Sequence, residues 1–190
     1  MSLPPLVSRL PHVGTTVFTR MSQLAIDHGA VNLGQGFPDF ACDPALVDLV
    51  TDAMRAGHNQ YPPMTGLPAL RVAIAAKIEA TYGHRYDANS EITVTAGASQ
   101  AIQSAILAVV HPGDEVIVIE PAYDCYAPAI ALAGGVVVPV TMRLDADGYR
   151  VEWSDVRAAV TPRTRMVVIN TPHNPTGTIL RQADLDALVA

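Results

Sequence analysis

The sequence predicts an α/β fold whose sheet is mostly parallel. From residue 91 onward, short apolar runs of strand length alternate with longer stretches of helical period, which is the pattern of successive βα units. The short runs are rich in β-branched residues and almost continuously apolar, as expected of strands that are covered on both faces. Three of these runs are followed within two residues by glycine or proline, at Gly97, Pro121 and Pro172, which indicates a turn.

The elements before residue 91 are expected to be helical or irregular. Glycine and proline interrupt the first 45 residues, which predicts an arm or another loop-rich segment. Helices are predicted over residues 44–56 and 67–82, joined by a proline-rich turn around Tyr61.

The elements after residue 91 follow the βα pattern. Strands are predicted at residues 92–95, 115–119, 136–140 and 165–170. Helices are predicted at residues 98–110, 123–133, 154–160 and from 182 onward, with a turn at 145–148. Ser154 is the predicted N-cap of the third of these helices, because Asp155 stands in its first turn. The last helix has no stop signal, so we expect the sequence to be cut from a longer chain.

Composition narrows the classes of function. Apolar residues make up 49% of the 190 residues, charged residues 16%, and the mean hydropathy is +0.25, which excludes a disordered chain. The apolar residues are too scattered for a transmembrane span, and a net charge of -6 offers no basic field for nucleic acid or a membrane surface. Two distant cysteines and dispersed histidines give no disulfide or metal-ligand pattern, and no secretory signal is present, so the expected location is cytoplasmic.

Ligands of an open α/β sheet bind beyond the carboxyl ends of its strands, which makes three loops candidate sites. The first, residues 95–100, is rich in small residues and leads into a helix whose N-terminal N–H groups and dipole can receive a phosphate. Ser99 adds a hydroxyl donor there. The same composition also suits a tight βα turn that needs small residues only for packing.

The other two loops carry an aromatic ring and an amide. Residues 120–126 place Tyr123 just past a strand end, where its ring can stack on a planar ligand or merely cover the edge of the sheet. Residues 170–177, NTPHNPTG, form a proline-stiffened loop that can project the Asn174 amide toward a ligand oxygen. The alternative is a turn in which Asn174 bonds only its own backbone.

The segment at 170–177 resembles the signature loop of the fold-type I, pyridoxal-phosphate-dependent aminotransferases of class I/II. Four further segments stand in the family's order, at residues 32–40, 59–66, 93–101 and 120–126. Together they most resemble the methionine aminotransferase and kynurenine aminotransferase (glutamine transaminase K) branch, from about Leu10 to the last residue. The resemblance implies an aspartate aminotransferase-like, three-layer large domain, incomplete here, with residues 1–43 as an arm and part of the small domain and residues 44–190 as the N-terminal part of the large domain.

The resemblance also implies roles for individual residues around pyridoxal 5'-phosphate. Asn174 matches the asparagine that hydrogen-bonds the cofactor's O3′ and lowers the imine pKa, and Tyr123 matches the aromatic that stacks on the pyridine ring. Gly36 matches the residue whose backbone N–H meets the substrate carboxylate, and Tyr61 the tyrosine that reaches the phosphate of the neighbouring subunit in a homodimer. The phosphate cup corresponds to Gly97, Ala98, Ser99 and Gln100.

The implied reaction is transamination between an amino acid of methionine, aromatic, glutamine or kynurenine type and a 2-oxo acid. Lys77 is the only lysine, and its amphipathic helical surroundings favour a solvated side chain over a nucleophile. The Schiff-base lysine is therefore expected beyond Ala190, and the 190-residue chain alone is predicted to be inactive. Two alternatives stay open: a cysteine-S-conjugate β-lyase of the same fold, and a non-catalytic α/β module that binds phosphate ligands.

Overall fold

The structure, a computed structural model, describes residues 6–36 and 38–190. Phe37, which belongs to the motif at 32–40, and the first five residues of the predicted arm lie outside the described residues. The described chain divides into two compact units, one of residues 16–96 and one of residues 6–15 with 97–190. The proposed domain boundary between residues 43 and 44 stays a prediction.

The unit of residues 16–96 contains helices α1 (Val17–Asp27), α2 (Pro44–Arg55) and α3 (Pro68–Tyr82). The expectation that the first 45 residues are loop-rich is wrong for α1. Thr16 begins this helix, since its side chain accepts a hydrogen bond from the Thr19 N–H. The glycines that suggested a loop, Gly14 and Gly29, lie outside the helix, so they bound it rather than interrupt it.

The strand predicted at residues 92–95 is also wrong. A strand needs a neighbour that shares several backbone hydrogen bonds, and in the described part of the chain no strand includes this segment. The Val94 N–H instead donates to the Thr65 carbonyl at 3.0 Å. Gly66 allows this close approach, because a Cβ at that position would lie 2.6 Å from Val94 Cγ2.

The second unit is built on a three-stranded parallel sheet. Its strands are β1 (Glu115–Glu120), β2 (Val136–Thr141) and β5 (Thr164–Val168), in the order β2-β1-β5. A short antiparallel hairpin, β3 (Arg143–Asp145) and β4 (Gly148–Arg150), surrounds the predicted turn at 145–148. The helices of this unit are α4 (Ala98–Val109), α5 (Tyr126–Leu132), α6 (Trp153–Ala158) and α7 (Gln182–Val189).

The central strand β1 separates two hydrophobic clusters. Val116 and Val118 point toward α4 and α5, where they pack with Ile106 and Ile130 among other residues. The alternate residues, Ile117 and Ile119, pack on the opposite side with a second cluster formed by Val140, Met142, Val151, Trp153 and Val156. Since successive side chains of a strand point to opposite faces, this alternation buries both faces of the sheet. The predicted α/β fold with a parallel sheet is therefore confirmed.

Two helix starts differ from the predictions. Helix α5 begins at Tyr126 rather than at residue 123, because a turn precedes it in which the Tyr126 N–H donates to the Tyr123 carbonyl. The N-cap of α6 is Glu152, not Ser154, whose hydroxyl donates to the Glu152 carboxylate at 3.1 Å. Burial of Trp153, 8% exposed, places that residue in the first turn.

Candidate functional site

The loops after β1 and β5 lie at one edge of the sheet. The two strands are parallel neighbours, so their carboxyl ends meet there. Residues 121–125 follow β1, and the loop that contains Asn174 follows β5. Helix α4, which packs against α5, begins at Ala98 in the same unit. Three of the predicted binding segments therefore belong to one unit of the fold.

The predicted phosphate cup forms the start of α4. Gly97 is the N-cap, with φ +83° and ψ 170°, a combination that side chains disfavour. A Cβ at this position would have no heavy atom within 4 Å, so conformation rather than crowding requires glycine. Ala98, Ser99 and Gln100 form the first exposed turn, where the helix dipole favours an anion.

A hydrogen bond joins the phosphate cup to the loop after β1. The Ser99 hydroxyl bonds the Cys125 thiol, and sequence reasoning gave no role to this cysteine. Burial, reinforced by the negative charge of Asp124, raises the pKa of the Cys125 thiol, and the Ser99 bond opposes this only in part. The thiol therefore stays neutral near pH 7. No sequence pattern indicated this contact, because it joins a side chain of α4 to one in the loop after β1.

Tyr123 is half-buried at the end of β1 and packs against the hydrophobic cluster beneath α4. Its ring meets that of Tyr126 edge to face, with centroids 5.9 Å apart and planes at 75°. Tyr126 is itself buried, and burial raises the pKa of its hydroxyl. The buried ring of Tyr126 thus holds the half-buried ring of Tyr123 in position.

The Asn174 loop is fixed by its own polar groups. The backbone N–H of Asn174 donates to Asn170 Oδ1 at 2.7 Å. This backbone group is therefore satisfied by the side chain of Asn170 and not by the side chain of Asn174. The Asn174 side chain is exposed. His173, which the sequence analysis gave no role, is buried beside it, and its ring bonds the carbonyl of Ile119 in β1.

Gly36 and Tyr61 belong to the unit of residues 16–96. Gly36 is exposed, and a Cβ built on it would meet no atom within 4 Å. The side chain of Tyr61 is 99% exposed. The roles of both residues, like those of the other predicted site residues, stay predictions.

In residues 6–36 and 38–190, no helix has the length and apolar character needed to cross a membrane. No group of three or more His, Cys, Asp or Glu side chains is placed to hold a metal ion in that same part of the chain.

Comparison with known proteins identifies the family. Residues 28–190 match the family model "Aminotransferase class I and II". The chain is 52% identical over 190 residues to the methionine aminotransferase of Escherichia coli (strain K12), covering 99% of this chain and 49% of that protein. It is 35% identical over 184 residues to kynurenine--oxoglutarate transaminase 1 of Mus musculus, covering 91% of this chain and 43% of that protein.

Solved structures agree with the sequence relatives. A crystal structure described as that of an Escherichia coli methionine aminotransferase superposes with a TM-score of 0.91 at 51% identity, covering 98% of this chain and 48% of that one. The aspartate aminotransferase of Rhizobium meliloti gives a TM-score of 0.86 at 31% identity, covering 99% of this chain and 48% of that one. The chain spans about half the length of the curated relatives it matches. It belongs to the class I and II aminotransferase family.

Proposed function

We propose that the full-length protein transfers an amino group between an amino acid and a 2-oxo acid with pyridoxal 5'-phosphate as cofactor. The observation that supports this proposal is that three predicted cofactor-binding segments, the start of α4, the loop after β1 and the loop after β5, belong to one compact unit. Membership of the aminotransferase family supports it independently.

The residues at this edge fit such a cofactor chemically. The cofactor has an anionic phosphate, a flat aromatic ring and a phenolic oxygen. The start of α4 offers backbone N–H groups, a dipole and the Ser99 hydroxyl for an anion. Tyr123 offers a ring held by Tyr126, and Asn174 an exposed amide. When bound, the cofactor supplies an electron sink for the amino acid's Cα.

Each of these residues has a defined task in the proposal. Gly97, Ala98, Ser99 and Gln100 hold the phosphate, which fixes one end of the ring. Tyr123 contacts the ring's face, and Asn174 donates an amide N–H to O3′, which favours the deprotonated oxygen. The Gly36 backbone N–H orients the substrate carboxylate.

Lys77 is not the nucleophile in this proposal. It is exposed on α3, and no other lysine occurs in the 190 residues. A nucleophilic lysine needs a desolvated or cationic setting, and Lys77 instead lies exposed on a helix. The 190-residue chain by itself is therefore proposed to be inactive.

The proposed amino donors are amino acids of methionine, aromatic, glutamine or kynurenine type. The 52% identity with a methionine aminotransferase favours methionine, whereas relatives at 49% and 35% identity carry N-succinyldiaminopimelate and kynurenine in their names. A panel of these donors with one 2-oxo acid ranks them by kcat/KM. A keto acid formed together with the aminated cofactor supports transfer, while pyruvate and ammonia from a β-substituted substrate would show the alternative β-lyase.

A homodimer in the cytoplasm is the proposed state of the full-length protein. The 99% exposed side chain of Tyr61 is compatible with a contact to a second subunit. Tyr61→Phe is then expected to weaken cofactor binding in the dimer and to leave it unchanged in a forced monomer. Equal weakening in both forms would contradict the role across subunits.

The sharpest test of the proposed site is Asn174→Ala in the full-length protein. Loss of a hydrogen bond to a charged oxygen costs about 1.5–3 kcal/mol. Since one pH unit corresponds to about 1.36 kcal/mol, the pH titration of the bound cofactor's visible absorbance should move up by about 1–2 units. Asn89→Ala, at an exposed asparagine of the unit of residues 16–96, is the matched control. An unmoved midpoint in Asn174→Ala would reject the proposed contact.

A further inference from the structure

Buried polar side chains in the described residues are few, and His173 is the one that stands beside a predicted site residue. His173 is 7% exposed. Glu115, also buried, accepts hydrogen bonds from Arg163 and Thr161 near the amino end of β1, away from the candidate site. His173 precedes Asn174 directly, so whatever fixes the histidine also fixes the start of the asparagine's backbone.

We infer that His173 is a positioning residue, which sets the direction of the Asn174 amide toward the cofactor's phenolic oxygen by tying the loop to the end of β1. This inference rests on the proposed function. It assigns no contact between His173 and the cofactor or the substrate.

The inner side of the loop is held by the histidine ring. Ring atom Nδ1 lies 2.9 Å from Thr176 Oγ1, and a ring N–H donates to the carbonyl of Ile119. Ile119 is 4% exposed and lies within the sheet hydrogen bonds of β1 and β2. The ring therefore connects a loop residue to the least mobile kind of backbone in the fold, a central strand.

Backbone bonds close the same turn. The His173 N–H donates to the Thr178 carbonyl at 2.8 Å, and the Gly177 N–H donates to the His173 carbonyl at 2.7 Å. The Asn174 N–H is satisfied by Asn170 Oδ1. With these groups engaged, the Asn174 side chain leaves the loop from a backbone of fixed orientation.

The outer side of the turn is attached to the hairpin. Thr176 Oγ1 and Thr178 Oγ1 lie 2.9 Å apart, and the Thr178 hydroxyl donates to the Tyr149 carbonyl in β4 at 3.2 Å. Polar contacts thus extend from β1 past the His173 ring and two threonines to β4. A neutral imidazole has one N–H and each threonine one O–H, so three of these four contacts are hydrogen bonds at a time. Removing the polar atoms of the His173 ring breaks these contacts, so the loop is no longer attached to β1.

The ring acts as a neutral group. Burial lowers the pKa of His173, and the bond to the Ile119 carbonyl opposes this only in part. Replacement by another neutral side chain therefore removes hydrogen bonds without removing a charge. His173→Phe keeps a planar ring of similar volume and loses both polar contacts, which separates the hydrogen bonds from the packing.

The test uses the full-length protein loaded with pyridoxal 5'-phosphate. Its readouts are the pH midpoint of the cofactor's visible absorbance and the cofactor Kd from equilibrium dialysis. For His173→Phe we expect the midpoint to rise by at least half the rise seen in Asn174→Ala. The double variant should show no further rise, because the histidine acts through the asparagine. His111→Gln, at an exposed histidine outside the loop, is the control and should leave the midpoint unchanged.

Two outcomes overturn the inference and are distinguishable. A midpoint that moves in Asn174→Ala but not in His173→Phe makes the histidine a packing residue and leaves the proposed function intact. A midpoint that moves in neither variant removes the proposed role of Asn174 as well. If His173→Phe does not fold, Thr176→Val carries the same test, since it retains the histidine and deletes the partner of Nδ1.

Discussion

Gly97→Ala tests whether the start of α4 is shaped for a ligand. Gly97 has φ +83° and ψ 170°, in a region of backbone conformation that is essentially restricted to glycine. A residue with a Cβ held there is destabilised by about 1–3 kcal/mol. Because no atom lies within 4 Å of the Cβ position, this cost comes from the backbone alone, and the variant can relieve it by rotating the first turn of α4.

The magnitude for cofactor binding follows from that strain. If the alanine variant relaxes when the site is empty, binding of the phosphate must restore the strained conformation. A coupling of 1–3 kcal/mol corresponds to about a 5–150-fold increase in the Kd for pyridoxal 5'-phosphate. Equilibrium dialysis of the full-length protein measures this Kd, and chemical unfolding measures the stability of the same samples.

The matched control is Gly148→Ala. Gly148 lies in the β3–β4 hairpin, has φ +112°, and also has no atom within 4 Å of the Cβ position. We expect this variant to lose stability and to keep the wild-type Kd. Equal Kd values for the two variants would refute the reasoning, because the backbone of α4 would then have no special relation to the phosphate.

Three further predictions concern the ring, the core and pH. Tyr123→Ala should raise the cofactor Kd by about 2–12-fold, because an aromatic contact contributes about 0.5–1.5 kcal/mol. Tyr123→Phe retains the ring and should keep the wild-type Kd. Indistinguishable Kd values for the two variants would count against ring stacking. Ile130 is fully buried in the cluster beneath α4, so Ile130→Ala should lower the free energy of unfolding by about 2–5 kcal/mol in a denaturant titration. Leu107 on α4 is 51% exposed, so Leu107→Ala should lower it far less. A loss of equal size in both variants would be inconsistent with the described core. Glu115→Gln should destabilise the protein at pH 7 and match the stability of the wild type more closely as the pH falls below 4.5. Hydrogen bonds from Thr161 and Arg163 lower the pKa of the Glu115 carboxyl in the folded protein. The ionised carboxylate therefore stabilises the fold above the ordinary pKa, and this stabilisation is lost as the pH falls through the lowered pKa. A stability difference independent of pH would contradict this.

Much of the sheet and its helices could be predicted because local sequence and burial agree there. Strand β1 contains a continuous apolar run from Val116 to Ile119, and the structure buries its residues from Glu115 to Ile119. Helix α4 has a glycine before it and a proline and glycine soon after it, so both ends were visible in the sequence. In such segments the apolar period, the turn residues and the packing all indicate the same element.

The errors fall where tertiary contacts decide the structure. The segment at 92–95 has the composition of a strand, but the Val94 N–H donates to the Thr65 carbonyl in a loop. The N-cap of α6 is Glu152 because burial of Trp153 sets the start of that helix, which outweighs the usual preference for serine. Glycine-rich composition around α1 likewise hid a helix whose glycines lie outside it.

The candidate site was predictable in part for the same reason. Ser99, Tyr123 and Asn174 belong to contiguous motifs, so the sequence contains the local pattern that makes them candidates. The bond between Ser99 and Cys125 and the bond from His173 to Ile119 join residues that are distant along the chain. No periodicity or local motif encodes such contacts, and only the fold places these partners together.

The central claim is that the start of α4, the loop after β1 and the loop after β5 bind one phosphorylated aromatic aldehyde. A crystal structure of the full-length protein with pyridoxal 5'-phosphate tests it most directly. We expect the phosphate at the N–H groups of residues 97–100, the ring against Tyr123 and the phenolic oxygen within hydrogen-bond distance of the Asn174 amide. Cofactor density anywhere else, or a phosphate away from α4, would contradict it.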